Sequence, residues 1–119
     1  MRRDVRKALL KAASEGRTVT YGYLMKKFGL TRGRGVRGVV TIIGEVDDYE
    51  YKRGGPGFGA IVVRKDTGLP GGGYFCSDGL PTGLRRPRGQ ATNPKLSKLE
   101  KNHIALEQRT IWRYYGRRL

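Results

Sequence analysis

The chain has 119 residues, with 25 Lys and Arg against 10 Asp and Glu and a formal net charge of +15. That length holds one modest core rather than two, and so large a positive excess favours a polyanionic partner. A single cysteine, Cys76, and a single histidine, His103, exclude a disulfide framework, a sulfur-rich metal site and histidine-pair catalysis.

The charge is spread along the chain, with 13 basic and 6 acidic residues up to Ala60 and 12 and 4 beyond it. No run approaches the roughly 18 apolar residues of a membrane span. Met1-Arg2-Arg3-Asp4 leads into no signal-peptide core. The expectation is an intracellular protein, cytoplasmic or in the nucleoid, with no membrane partner, no cofactor and no metal.

Residues 4–15 predict a first helix, with Val5, Ala8, Leu9 and Ala12 at helical spacing and Gly16 ending it. A short extended piece, Arg17 to Val19, leads to Thr20, whose hydroxyl suits the cap of a helix starting at Tyr21. Tyr21, Leu24, Met25 and Phe28 form the apolar face of that helix, and Gly29 stops it. From Gly33 a third pattern carries Val36, Val39, Val40, Ile43 and Val46 and fades between Glu45 and Asp48. Two short helices joined by a tight glycine-containing turn predict a helix-turn-helix.

Residues 49–57 read as a polar, glycine-rich loop, and 58–65 (FGAIVVRK) as a buried strand. Asp66-Thr67-Gly68 is turn chemistry, and Tyr74-Phe75-Cys76 reads as a returning strand. Residues 77–96 lack periodicity and predict a flexible basic linker. Ser97 and Glu100 then form a capping box for a last helix that Gly116 closes. Its Leu99, Ile104, Leu106, Ile111, Trp112 and Tyr115 are too many apolar groups to leave in water, so it should dock on the core. The predicted fold class is α+β: a winged helix-turn-helix of three helices plus a β-hairpin wing over 1–76, and an added helix over 97–116.

Arg32, Arg34 and Arg37 stand at the leading end of the third helix, where guanidinium forks reach guanine edges in a major groove. Lys26 and Lys27 on the preceding helix suit backbone contacts that position without specifying. Arg64 and Lys65 flank the predicted wing turn, and Arg85, Arg86 and Arg88 form a basic strip suited to phosphates. Tyr21 could meet a base, although a core tyrosine is the commoner case. His103 reads as a partly buried structural residue. Asp47, Asp48, Glu50 and Lys52 contain a Glu-x-Lys fragment similar to metal-dependent nucleases, but placed on a loop and without the upstream carboxylate.

Gly16-Arg-Thr-Val-Thr-Tyr21 and Arg34-Gly35-Val36-Arg37-Gly38 resemble segments of the DNA-binding domain of O6-alkylguanine-DNA alkyltransferases and alkyltransferase-like proteins. The likeness spans about Gly16 to Tyr74. It implies a winged-helix DNA-binding fold, with Tyr21 helping to rotate a nucleotide out and Arg34 filling the vacated stack. Where that family has Pro-Cys-His-Arg-Val, this chain has Phe58-Gly59-Ala60-Ile61-Val62-Val63. Without the thiol nucleophile and its histidine, the resemblance implies no alkyl transfer.

These observations together predict a double-stranded DNA-binding, nucleoid- or chromatin-associated protein, largely phosphate-driven and weakly sequence-selective. The alternatives are a DNA-repair or nuclease-type enzyme, and an RNA-binding or ribosome-associated protein.

Overall fold

Helical spacing, caps and glycine stops account for most of the backbone. The computed structural model describes residues 1–29, 35–70 and 96–116, without the side chains of 35–37. Among the described residues are four helices: α1 (Arg3–Ser14), α2 (Tyr21–Phe28), α3 (Gly35–Lys52) and α4 (Lys98–Gly116). A two-residue strand β1 (Val19–Thr20) precedes α2, and β2 (Val62–Val63) follows a 3-10 turn at Gly59–Ile61.

Three helix boundaries follow from local chemistry. The backbone N–H of Tyr23 donates to Thr20 Oγ1 at 3.0 Å, which caps α2. Gly29 closes that helix in the left-handed region, at φ 68°. At α4 the capping box forms in both directions: Ser97 N donates to Glu100 Oε1 at 2.8 Å, and Glu100 N to Ser97 Oγ at 3.1 Å.

Each helix lends one face to a single core. Val5, Leu9, Ala12 and Ala13 come from α1, Leu24 from α2, and Val39, Ile43 and Val46 from α3. Phe58, Ala60, Ile61 and Val62 fill the centre, and Ile111 and Tyr115 of α4 close it. The Phe58 and Tyr115 rings stack with centroids 4.7 Å apart.

Three expectations need correction. Helix α3 does not fade between residues 45 and 48; it continues to Lys52, so 49–52 are helical rather than loop. The cause is tertiary. Asp47 Oδ1 accepts from Phe58 N at 2.6 Å, and Glu50 Oε1 from Arg6 Nε at 2.5 Å. These partners let carboxylates sit on the inner side of a helix. Segment 58–65 is not one long strand. Its apolar residues are buried as expected, but Gly59–Ile61 turns as a 3-10 helix and only Val62–Val63 extends.

One pairing was not anticipated. The β2 residues Val62 and Val63 lie parallel to Val19 and Thr20 of β1. The returning strand expected at 74–76 and the linker at 77–95 lie outside the described residues. Finally, not every apolar side chain is covered. Val40 is 51% exposed, and Leu99 and Leu106 are 61% and 62% exposed, on α3 and α4 respectively.

Helix α4 is tied to the rest by side chains that reach backbone. Trp112 Nε1 donates to Arg17 O at 3.1 Å, and Gln108 Nε2 to Ala60 O at 3.0 Å. One bond falls just before β1 and the other just before β2, so α4 clamps both strands of the parallel pair.

Candidate functional site

The cap at Thr20 fixes the rotation of α2, and that rotation decides which side chains reach water. Tyr21, Met25 and Phe28 are partly buried against the core, with Leu24 buried beneath them. Tyr23, two residues on from Tyr21, points to the other side and is 47% exposed. Lys26 and Lys27 are exposed as well, one turn further along.

Tyr23 and Lys27 stand at i and i+4. The Lys27 ammonium donates to Tyr23 Oη at 3.0 Å and lies 5.5 Å from the centroid of its ring. Lys27 is also 5.9 Å from the Phe28 ring. The bond from Lys27, with the charges of Lys27, Arg17 and Lys11 behind it, holds the Tyr23 phenol below its ordinary pKa despite the opposing effect of desolvation. The carboxylate engaged in this cluster is Glu15, 3.0 Å from Arg17 Nη2. Lys11 from α1, Arg17 from the lead into β1 and Lys27 from α2 all act on the Tyr23 phenol, and together with the adjacent Lys26 they are exposed, which makes a basic face. Sequence reasoning placed Lys26 and Lys27 there but missed Tyr23, Lys11 and Arg17.

The acidic residues are arranged differently. Asp4 pairs with Arg2 and Asp66 with Arg64, both at 2.7 Å. Arg64 and Lys65 are exposed beside the turn that Gly68 completes at φ 69°. Four of the ten carboxylates, Glu45, Asp47, Asp48 and Glu50, sit on the C-terminal half of α3. Its exposed Glu45 and Asp48 would repel phosphate, so α3 can offer a polyanion only its leading turns.

Arg37 lies in the first turn of α3. Its side chain, together with Arg32, Arg34, Arg85, Arg86 and Arg88, lies outside the described residues.

Compared with protein families, curated proteins and solved structures, the chain matches none.

The Glu-x-Lys fragment read on a loop is helical, and its carboxylates serve the core. Glu50, 3% exposed, holds Arg6 with one oxygen, and its other oxygen lies 3.0 Å from the Tyr115 hydroxyl. Tyr115 Oη also donates to Pro56 O at 2.5 Å. Burial, followed by the nearby Glu50 charge, pushes the Tyr115 phenol up. Asp47, held against the Gly57-Phe58 backbone, is raised from 3.8 to about 6, chiefly by burial and against the bonds from Phe58 and Gly59. A side chain at Gly57 would put its Cβ 2.5 Å from Asp47 Cγ, so glycine is what lets the carboxylate approach.

His103 is partly buried, with Nε2 3.9 Å from Glu107 Oε1. Among the described residues no three His, Cys, Asp or Glu side chains are grouped to hold a metal ion. No helix among them is long and apolar enough to cross a membrane.

Proposed function

We propose that the protein binds double-stranded DNA, mainly through the phosphate backbone and with weak sequence selectivity. The observation that carries this reading is the exposed face of Lys11, Arg17, Lys26 and Lys27, drawn from three consecutive elements of a chain with net charge +15. Charges gathered from separate elements onto one rigid face raise the local potential more than the same charges dispersed.

The helix order, with β1 between α1 and α2 and β2 after α3, suits a winged helix-turn-helix. In that arrangement the leading turns of α3, with Arg32, Arg34 and Arg37, enter the major groove, and α2 lies across the backbone. Arg64 and Lys65, and the strip of Arg85, Arg86 and Arg88, then contact flanking phosphates. A nucleoid- or chromatin-associated role fits binding of this kind.

Fluorescence anisotropy on a 20-base-pair duplex tests it. Affinity should fall on the order of a thousandfold between 50 and 200 mM salt if six or more phosphates are neutralised. Replacing Lys11 and Lys27 together by methionine should lower the slope of log affinity against log salt by about two. Absence of duplex binding, or a flat salt response, would refute the proposal. A structured RNA that outcompetes the duplex at equal phosphate concentration would reassign the partner.

A further inference from the structure

Tyr23 is a large aromatic side chain with no part in the core, although its neighbours Tyr21, Leu24 and Met25 on the same short helix all pack inward. Its backbone serves the Thr20 cap, but that bond uses only the N–H and would survive any replacement except proline. The side chain therefore needs a reason of its own.

The hydrogen-bond geometry supplies one. A phenol oxygen both accepts and donates one hydrogen bond. Lys27 Nζ already donates to it at 3.0 Å, which leaves the hydroxyl proton directed elsewhere. Among the described residues no acceptor takes that proton. The charges of Lys27, Arg17 and Lys11 act on the phenol, and of these Arg17 is also paired with Glu15 at 3.0 Å. A donor in a net positive setting suits an anionic acceptor. The Lys27 ammonium lies 5.5 Å from the ring centroid, out beyond the hydroxyl, so the polar edge of Tyr23 is where positive charge gathers.

We propose that Tyr23, Lys27, Arg17 and Lys11 form a phosphate clamp, in which the Tyr23 hydroxyl donates to one backbone phosphate oxygen and the three cations neutralise its charge. This rests on the nucleic-acid reading above and names the contact that reading lacks. The clamp joins the end of α1 to the first turns of α2. It would anchor the duplex at one fixed phosphate relative to the leading end of α3 and set the register in which α3 meets the groove. Tyr23 is then a positioning residue, neutral in charge and distinct from the lysines around it.

The test combines Tyr23→Phe with duplexes carrying one methylphosphonate at each backbone position in turn, read by anisotropy at fixed salt. Tyr23→Phe should weaken binding about three- to tenfold, the loss expected for one hydrogen bond. It should leave the salt slope and the thermal midpoint unchanged. One methylphosphonate position should weaken the wild type and leave the Tyr23→Phe variant indifferent, whereas the remaining positions should affect both equally. Wild-type affinity in Tyr23→Phe, or a loss coupled to no single phosphate, would overturn the clamp. Full affinity in Tyr23→Phe with a loss in Tyr23→Ser would replace it by stacking of the ring. A wild type without duplex affinity would overturn the parent reading as well, so the two failures are distinguishable.

Discussion

Replacing Asp47 by asparagine isolates a buried charge that the fold tolerates at neutral pH but does not favour. The carboxylate of the native protein titrates near 6 because burial disfavours its charged form, while the unfolded chain keeps the ordinary value of 3.8. The folded state therefore holds a proton that the unfolded state has already lost between these values. It follows that the contribution of Asp47 to stability is fully present below about pH 4 and is lost as the pH rises through 6. The gap between the two values corresponds to about 3 kcal/mol. Asparagine retains an oxygen for Phe58 N and carries no charge, so its stability should not follow this titration.

The assay is urea unfolding of wild type and Asp47→Asn at half-unit steps from pH 4 to 8. Trp112, the only tryptophan and bonded to Arg17 O, serves as the fluorescent reporter. Titrations shared by the two proteins cancel in the difference. Wild-type stability minus that of Asp47→Asn should drop by about 2 kcal/mol between pH 4 and 7, most of the full gap, and level off above. A difference that is flat, or that grows in the wild type's favour with pH, would refute the reasoning.

Tyr115→Phe removes the hydroxyl that reaches Pro56 O and lies beside Glu50 while preserving the stacked ring. It should cost about 1–3 kcal/mol in the same urea assay, because it leaves buried acceptors without a donor. Ser97→Ala opens one side of the capping box and should cost about 1 kcal/mol, read as a lower thermal midpoint by circular dichroism.

The boundaries read best from sequence were those decided within a few residues. Thr20, Gly29, Ser97 and Glu100 each act across at most one helical turn, so type and spacing were enough. The errors share the opposite cause. Asp47, Asp48 and Glu50 made 45–50 look like the decay of a helix, since nothing local shows that Asp47 is met by Phe58, and Glu50 by Arg6 and Tyr115. Val62 and Val63 were legible as buried, but a partner 43 residues upstream in β1 was not.

Tyr21 and Tyr23 show the same limit at the site. Its place at the helix start drew attention to Tyr21, yet its i, i+3, i+4, i+7 spacing marks the face a helix turns toward its core. Tyr23 lay outside the pattern and is the one presented to solvent. The cluster around it draws on Lys11 and Arg17, which become its neighbours only once α1 has packed.

The clamp that α4 places on the two strands bears on how the chain matures during synthesis. The centre of the molecule joins Val5 and Leu9 to Ile111 and Tyr115, groups about a hundred positions apart. A ribosome that has delivered residues up to 95 has produced most of the cationic chain but none of the side chains that seal its interior. Closure of the core thus waits on Trp112 and Gln108, whose bonds to Arg17 O and Ala60 O form only once α4 has been made.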